Sequence, residues 1–407
     1  MCIRDRIGGW AVAVSAIMVL ANVAEIAGLY FWYLLGNDDI ANNRPLVVIT
    51  GCAFIAVMTG VSAIGVQIGE RLQMVMMVIQ YVALALFGIL AFIGALNGSS
   101  PSAVAFDPEW FNPAAVTSWS GFIEAVLLCL FIYWGWDTCL ALNEETRNPR
   151  RTPGQAALAT IVILIVTYVG ISVAVMMFAG FGDTGFGLTN EANLDDVFTV
   201  LRDALFGPWG WFLILAMLVS GASSTQTTIL PTARGTLSMA VYGALPARFA
   251  KVHPRFKTPA FSTTVMGIAA IAYYALMSVI SENVLADSLT SMGLAVALYY
   301  SITAFACVWY FRKTLFDNAR NFFMRGLMPL LGGIMLAYSF VQSAIDMIDV
   351  DYGYTVLLGI GGAFVIGVGA LAFGFVLMGA WALNPRSRGF FSGERLNKDT
   401  PVLVPEE

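Results

Sequence analysis

Residues 131–145 read FIYWGWDTCLALNEE, and within them Gly135 and Asp137 interrupt an otherwise apolar run. With Glu124 at its outer edge, that run extends from Ala125 to Leu142. Its midpoint falls at Tyr133 and Trp134, with Asp137 close beside. A carboxylate near the midplane of a bilayer costs at least about 2.5 kcal/mol, so its presence asks for a role. A glycine and an acid at that depth fit a broken helix, whose freed amides, carbonyls and half-helix dipole ends hold a carboxylate, an amine or a cation. Phe131, Tyr133, Trp134 and Trp136 then supply walls and a gate. Asp137 has three open roles: it neutralises a substrate ammonium, carries a proton, or caps the second half-helix with its carboxylate. The plainer alternative is that Gly135 packs against a neighbour and Asp137 pairs internally.

A second acid, Glu25, lies in the first apolar run beside Asn22 and ahead of Tyr30, Trp32 and Tyr33. It is a further binding candidate, or the partner of a group on another helix. The rest of the inventory is poor in enzymatic chemistry. His253 is the only histidine, which removes most metal sites and most histidine-based acid–base or triad chemistry. Cys52, Cys129, Cys139 and Cys307 sit inside apolar runs and, with Cys2, form no readable disulfide framework. No GxxxxGK[ST] phosphate loop occurs, and nothing supports nucleic-acid binding. No catalytic residue, metal or cofactor is therefore expected, and the chain does not read as an enzyme.

The elements that must position these residues follow from composition. Of the 407 residues 58% are hydrophobic and 12% charged, and the mean hydropathy is +0.77. Such a chain cannot coat a water-soluble globule, so a bilayer is its solvent. About 20 apolar residues of helix cross a hydrocarbon core. Runs of that length fall near residues 8–35, 45–66, 72–96, 119–142, 157–180, 208–232, 260–281, 289–311, 326–346 and 354–383. The fold class is all-α, a polytopic membrane helix bundle of about ten spans.

The connections alternate in charge. Nineteen of the 21 basic residues fall on one side: Arg4, Arg6, Arg71, Arg147, Arg150, Arg151, Arg234, Arg248, Lys251, Arg255, Lys257, Arg312, Lys313, Arg320, Arg325, Arg386, Arg388, Arg395 and Lys398. The opposite loops keep only Arg44 and Arg202, and hold Asp38, Asp39, Asp107, Glu109, Asp195, Asp196, Glu282, Asp346, Asp349 and Asp351. The positive-inside rule makes the basic side cytoplasmic and places both termini there. Residues 1–7 read as a cytoplasmic remnant of foreign character, 8–383 as the membrane domain and 384–407 as a cytoplasmic tail. No cleavable signal peptide is evident.

Directly after the broken span comes NEETRNPRRTPG, residues 143–154, and later LPTARGTLSMAVYGALPARFAKVHPRFKTP, residues 230–259. The Gly–aromatic–acid triplet followed by Glu144, Glu145, Asn148, Pro149, Arg150 and Arg151 resembles the amino acid/polyamine/organocation superfamily of permeases. Arg234, Gly243, Leu245, Pro246, Phe249, His253, Pro254, Thr258 and Pro259 carry the likeness in the second block. The resemblance implies an inverted-repeat transporter fold with twelve spans, two of them broken to form the site. The span before NEETRNPRR would be the sixth, so about ten of the expected twelve spans are present and the first two are absent.

The resemblance further implies a secondary transporter of amino acids or related amines, working by alternating access around residues 131–138 in the plasma membrane. Its partners would be a small amino acid or amine, the lipid bilayer, and Na+ or H+ as coupling ion. Ser223 and Ser224 match the place where sodium-coupled relatives set hydroxyl ligands, and a hard cation wants such oxygens. Serines in spans otherwise bond backbone or pack closely. Gln80 stands where some relatives carry a lysine. Two other readings remain open: an intramembrane enzyme or sensor using Asp137 and Glu25 as paired acids, and a truncated permease fragment without activity. The glycines at 359, 361, 362, 367, 369 and 374 permit close helix contact, most simply within one chain.

Overall fold

The computed structural model describes residues 2–146, 148–193, 196–280, 284–387 and 390–391. Arg147, Asp195, Glu282, Arg388, Arg395 and Lys398 lie outside the described residues, as do the side chains of Arg4, Arg6, Glu144, Glu145 and Arg386.

The described residues hold ten helices long and apolar enough to cross a bilayer. They are α1 (Cys2–Leu34), α2 (Arg44–Ile64), α3 (Val66–Leu96), α4 (Trp119–Ile132), α5 (Thr152–Ala179), α6 (Gly210–Val241), α7 (Ala260–Ile280), α8 (Val284–Phe311), α9 (Met328–Asp346) and α10 (Gly362–Ala382). All ten expected spans have their helix, and the fold is an all-α membrane bundle.

Two boundaries differ for physical reasons. The last span begins at Gly362 rather than 354. Residues ahead of it form a loop in which Val356–Leu357 pairs antiparallel with Ile360–Gly361. Gly353, Gly359, Gly361 and Gly362 crowd that stretch and are poor helix formers. The sixth span continues past 232 to Val241 with Pro231 inside it. Pro231 has no N–H to give the Thr227 carbonyl one turn back, and side chains donate to other carbonyls along the same helix. Thr225 Oγ1 donates to Gly221 O and Thr232 Oγ1 to Thr228 O, both at 2.8 Å, and Arg234 Nη1 reaches Leu230 O at 3.2 Å. Residues 2–7, expected as a remnant before the first span, continue α1 as helix.

Helix α1 is the axis of the bundle: 67% of its apolar window is buried, against 11% for the span that includes α4. Ala11, Ala16, Ala21, Ala24 and Ala27 are wholly buried. Small residues let helix backbones approach where hydrophobic driving force is absent. The closeness shows at Gly51, where an added Cβ would meet Ala24 O at 2.6 Å, and at Gly221, where it would meet Val23 O at 2.8 Å.

Loop contacts show how the ends assemble. At one end Tyr30 Oη donates to Asp196 Oδ1 at 2.6 Å, and Tyr354 N–H to Asp287 Oδ1 at 3.0 Å. At the other, Thr258 Oγ1 donates to Ala63 O at 2.7 Å and Trp381 Nε1 to Gly243 O at 3.2 Å. The first end carries Asp38, Asp39, Asp349 and Asp351; the second carries Arg150, Arg151, Arg248 and Arg255.

Candidate functional site

Helix α4 starts at an N-cap, Ser118, whose Oγ accepts from Gly121 N at 3.1 Å. It ends at Ile132, with Tyr133 as its C-cap. The chain then turns through Gly135, at φ +100, and resumes as the 3-10 segment Trp136–Glu145. Glycine reaches that φ without the Cβ clash other residues incur, so the expected break falls on the residue able to make it. Thr138 N–H donates back across the turn to Gly135 O at 3.1 Å.

Neighbouring helices hold the two halves. Tyr168 Oη of α5 donates to the Ile132 carbonyl freed at the end of α4, at 3.2 Å, and its ring meets Tyr133 edge-on at 5.2 Å. Cys139 Sγ donates to Trp136 O and Pro153 O, both at 3.4 Å, fastening the 3-10 segment to the start of α5. Phe131 and Trp134 pack against the core cluster of Met18, Val19 and Val23 from α1 and Met292 and Tyr299 from α8.

The polar side of the break meets α8. The Trp134 indole N–H donates to the Tyr299 hydroxyl. Tyr299 and Tyr300 have ring centroids 4.5 Å apart, and Tyr300 lies 6.2 Å from Trp136 at an interplanar angle of 32°. The buried Tyr300 hydroxyl stands beside the Asp137 carboxylate without the geometry of a full hydrogen bond. Among the described residues no Lys or Arg forms an ion pair with Asp137. Thus Phe131, Tyr133, Trp134, Gly135, Trp136 and Asp137 gather at the break. The α8 tyrosines join them unforeseen, although the adjacent pair at 299 and 300 inside an apolar run was a signal available in the sequence.

Glu25 belongs elsewhere. Its electrostatic neighbours are Arg44 at the start of α2 and Tyr274 of α7, not Asp137. Tyr274 is wholly buried. The two intramembrane acids therefore do not form the pair that the enzyme-or-sensor reading requires.

The coupling candidates separate as well. Ser223 of α6 is buried and accepts a hydrogen bond at 2.5 Å from Gln73 Nε2 of α3. Ser224 is half-buried next to it. Gln80, two turns along α3 from Gln73, donates to Met76 O of its own helix at 3.2 Å. Gln226, fully buried one turn beyond Ser223, offers its amide against Gly69 with neither polar atom paired. Among the described residues no three His, Cys, Asp or Glu side chains converge on a metal position.

The family model described as amino acid permease matches residues 7–384. An uncharacterized transporter of Mycobacterium tuberculosis is 26% identical over 373 residues, which is 90% of this chain and 72% of the relative. The methylthioribose transporter of Bacillus subtilis is 25% identical, over 64% of this chain and 55% of its own length. A serine/threonine exchanger of the same organism is 25% identical, over 59% and 53% respectively.

Proposed function

The chain belongs to the amino acid permease family, and we propose that within it the chain is a secondary transporter that moves its substrate by alternating access around the break at residues 131–138. It is a multi-pass membrane protein, a transporter of amino acids or related substrates. The observation that carries the mechanism is the break itself. A glycine at positive φ separates two helical halves beside a carboxylate with no cationic partner among the described residues. Discontinuous helices with free backbone ends are how secondary transporters hold a charged solute at the midplane. Aromatic side chains of the break meet those of α8 there: Trp134 bonds Tyr299, and Trp136 lies 6.2 Å from Tyr300.

The charge asymmetry of the loops supports a plasma-membrane orientation with both termini cytoplasmic. H+ coupling or exchange is favoured over Na+ in this reading, because the Gln73 amide that donates to the Ser223 hydroxyl sets a positive dipole end beside the oxygen a sodium ion would use. The readings as a paired-acid enzyme or sensor are not favoured by the separation of Glu25 from Asp137.

The test is uptake. The purified chain is reconstituted into liposomes and offered a panel of radiolabelled amino acids and polyamines, with internal substrate present or absent. Saturable uptake of a panel member, blocked by excess unlabelled solute, is the expected result. No saturable uptake with the chain inserted and folded overturns the reading and leaves an inactive fragment.

A further inference from the structure

We propose that the connection between α8 and α9, with the helix ends it joins, residues 309–325, docks the phosphate headgroup of an anionic phospholipid at the basic end of the bundle. Neither the break at residues 131–138 nor the transported solute takes part.

Four basic residues, Arg312, Lys313, Arg320 and Arg325, fall in this stretch against one acid, Asp317. Among the described residues none of the four forms an ion pair. The chain folds back on itself here. Thr314 N–H donates to Phe311 O at 2.8 Å as the chain leaves α8, and Asn321 Nδ2 donates back to Thr314 O at 3.1 Å. Leu315 packs on Gly326, where an added Cβ would lie 3.2 Å from its Cδ2, and the Phe316 ring lies 5.9 Å from that of Phe322. Over Phe322–Leu327 the helix leading into α9 opens into a π turn, which takes in an extra residue and is frequent at functional sites.

This hairpin fixes two guanidinium groups close together. Arg312 stands over the Trp309 ring, 4.3 Å from its centroid, and donates Nη1 to Trp309 O at 2.7 Å. Arg325, half-buried in the π turn, stands over the Phe311 ring at 4.6 Å. Phe311 and Arg312 are consecutive, so a charge from the start of the ninth span comes back to the end of the eighth. A guanidinium carries five donors in one plane and Arg312 spends one of them, leaving the remainder for phosphate oxygens. Setting membrane orientation asks only for basic residues near a span and nothing of their geometry. Rings that hold two arginines in place go beyond that demand.

The apolar rim favours a lipid over a soluble anion. Trp309, Tyr310, Phe316, Phe323 and Met324 are exposed around the charges, Phe316 at 81%. A free phosphate gains nothing from these side chains. A phospholipid lays its acyl chains along them while its phosphate meets the guanidiniums. The other large basic loop supplies the contrast. Residues 243–259 carry Arg248, Lys251, Arg255 and Lys257, yet none of Leu245, Phe249, Val252 and Phe256 is exposed. That loop has the charge without the rim.

The experiment titrates the purified full chain in detergent with dioleoyl phosphatidylglycerol or dioleoyl phosphatidylcholine and counts bound lipid by native mass spectrometry. The expected result is one phosphatidylglycerol held about tenfold more tightly than phosphatidylcholine, with the preference shrinking as salt rises. Arg312→Gln, Arg320→Gln and Arg325→Gln together should abolish the preference. Lys251→Gln, Arg255→Gln and Lys257→Gln together should keep it. Equal affinity for the two lipids, or an equal loss in both triple variants, overturns the inference. A second measurement does not depend on the arginine variants. Phosphatidylglycerol brominated on its acyl chains should quench the fluorescence contributed by Trp309, taken as the difference between the parent and Trp309→Phe, more than brominated phosphatidylcholine does. Equal quenching by the two lipids would overturn the placement as well.

Discussion

The Trp134 indole N–H donates to the Tyr299 hydroxyl, tying the residue before the Gly135 turn to the middle of α8. Both side chains lie in the same cluster with Met18 and Val23 of α1, so the bond crosses the bundle where α4 breaks. Removing the acceptor leaves a half-buried N–H unpaired, which costs about 1–3 kcal/mol. Tyr299→Phe should therefore lower the thermal midpoint of the purified protein and weaken uptake. Trp134→Phe in the same background should recover part of the loss, because both partners are then apolar. A double variant no better than Tyr299→Phe alone would show that the bond does not couple the helices.

Gly135 sits at φ +100, a region in which a side chain is strained. The space around it is open: an added Cβ would meet nothing nearer than Thr138 Oγ1 at 3.9 Å. Gly135→Ala thus isolates backbone strain from packing. The expected cost is about 1–2 kcal/mol, drawn from the turn alone. The variant should insert normally and lose uptake more than stability. Unchanged kcat/KM would mean that the turn is not part of the transport site.

The break was legible because glycine, acid and aromatics stood together inside an apolar run, and cost at the midplane gave the pattern meaning. The ten spans were legible from length and loop charge. What stayed hidden depends on long-range packing. Tyr299 and Tyr300 are more than 150 positions from Asp137 in the chain, and only the fold brings them together. Gln80 was singled out by position in a resemblance, whereas Gln73 makes the bond to Ser223, because two helical turns decide which glutamine reaches α6. Glu25 looked like a partner for Asp137 in one dimension, yet α1 directs it toward Arg44 and Tyr274. The glycines of α10 divide in the same way. Gly367 packs on Ser291 and Leu294, and Gly374 on the Trp10 ring, while Gly369 and Gly379 meet nothing within 4 Å.

The Gln73 amide donates to the Ser223 hydroxyl at 2.5 Å across the α3–α6 contact. The bond uses one of the two lone pairs of the hydroxyl and sets the positive end of an amide dipole beside the other, which disfavours a sodium ion at that oxygen. Uptake should accordingly change less than twofold when sodium is replaced by choline. Gln73→Ala frees the hydroxyl and should cost about 1 kcal/mol of stability for the lost bond. Strong sodium dependence in the unmodified protein would remove the bond from the resting state of the transporter.

Asp287 shows how the loop before α10 is held down. The residue is 2% exposed in the first turn of α8, and its Oδ1 accepts the Tyr354 N–H at 3.0 Å while Oδ2 is buried without a partner. The loop backbone comes so close that a Cβ on Gly353 would lie 2.5 Å from Oδ1. A single bond to a buried carboxylate serves the loop more than it serves the carboxylate, since the second oxygen gains nothing for its lost water. Asp287→Asn keeps the acceptor and discards the charge, so its stability should stay within about 1 kcal/mol of the original, on either side. Asp287→Ala orphans the Tyr354 N–H and should cost about 1–3 kcal/mol, with faster hydrogen exchange confined to residues 347–361. Gly353→Ala must push the loop off α8 and should produce the same local exchange without touching the carboxylate. If exchange in the loop is equal in all three variants and the parent, the loop is held by its packing alone and Asp287 has no part in it.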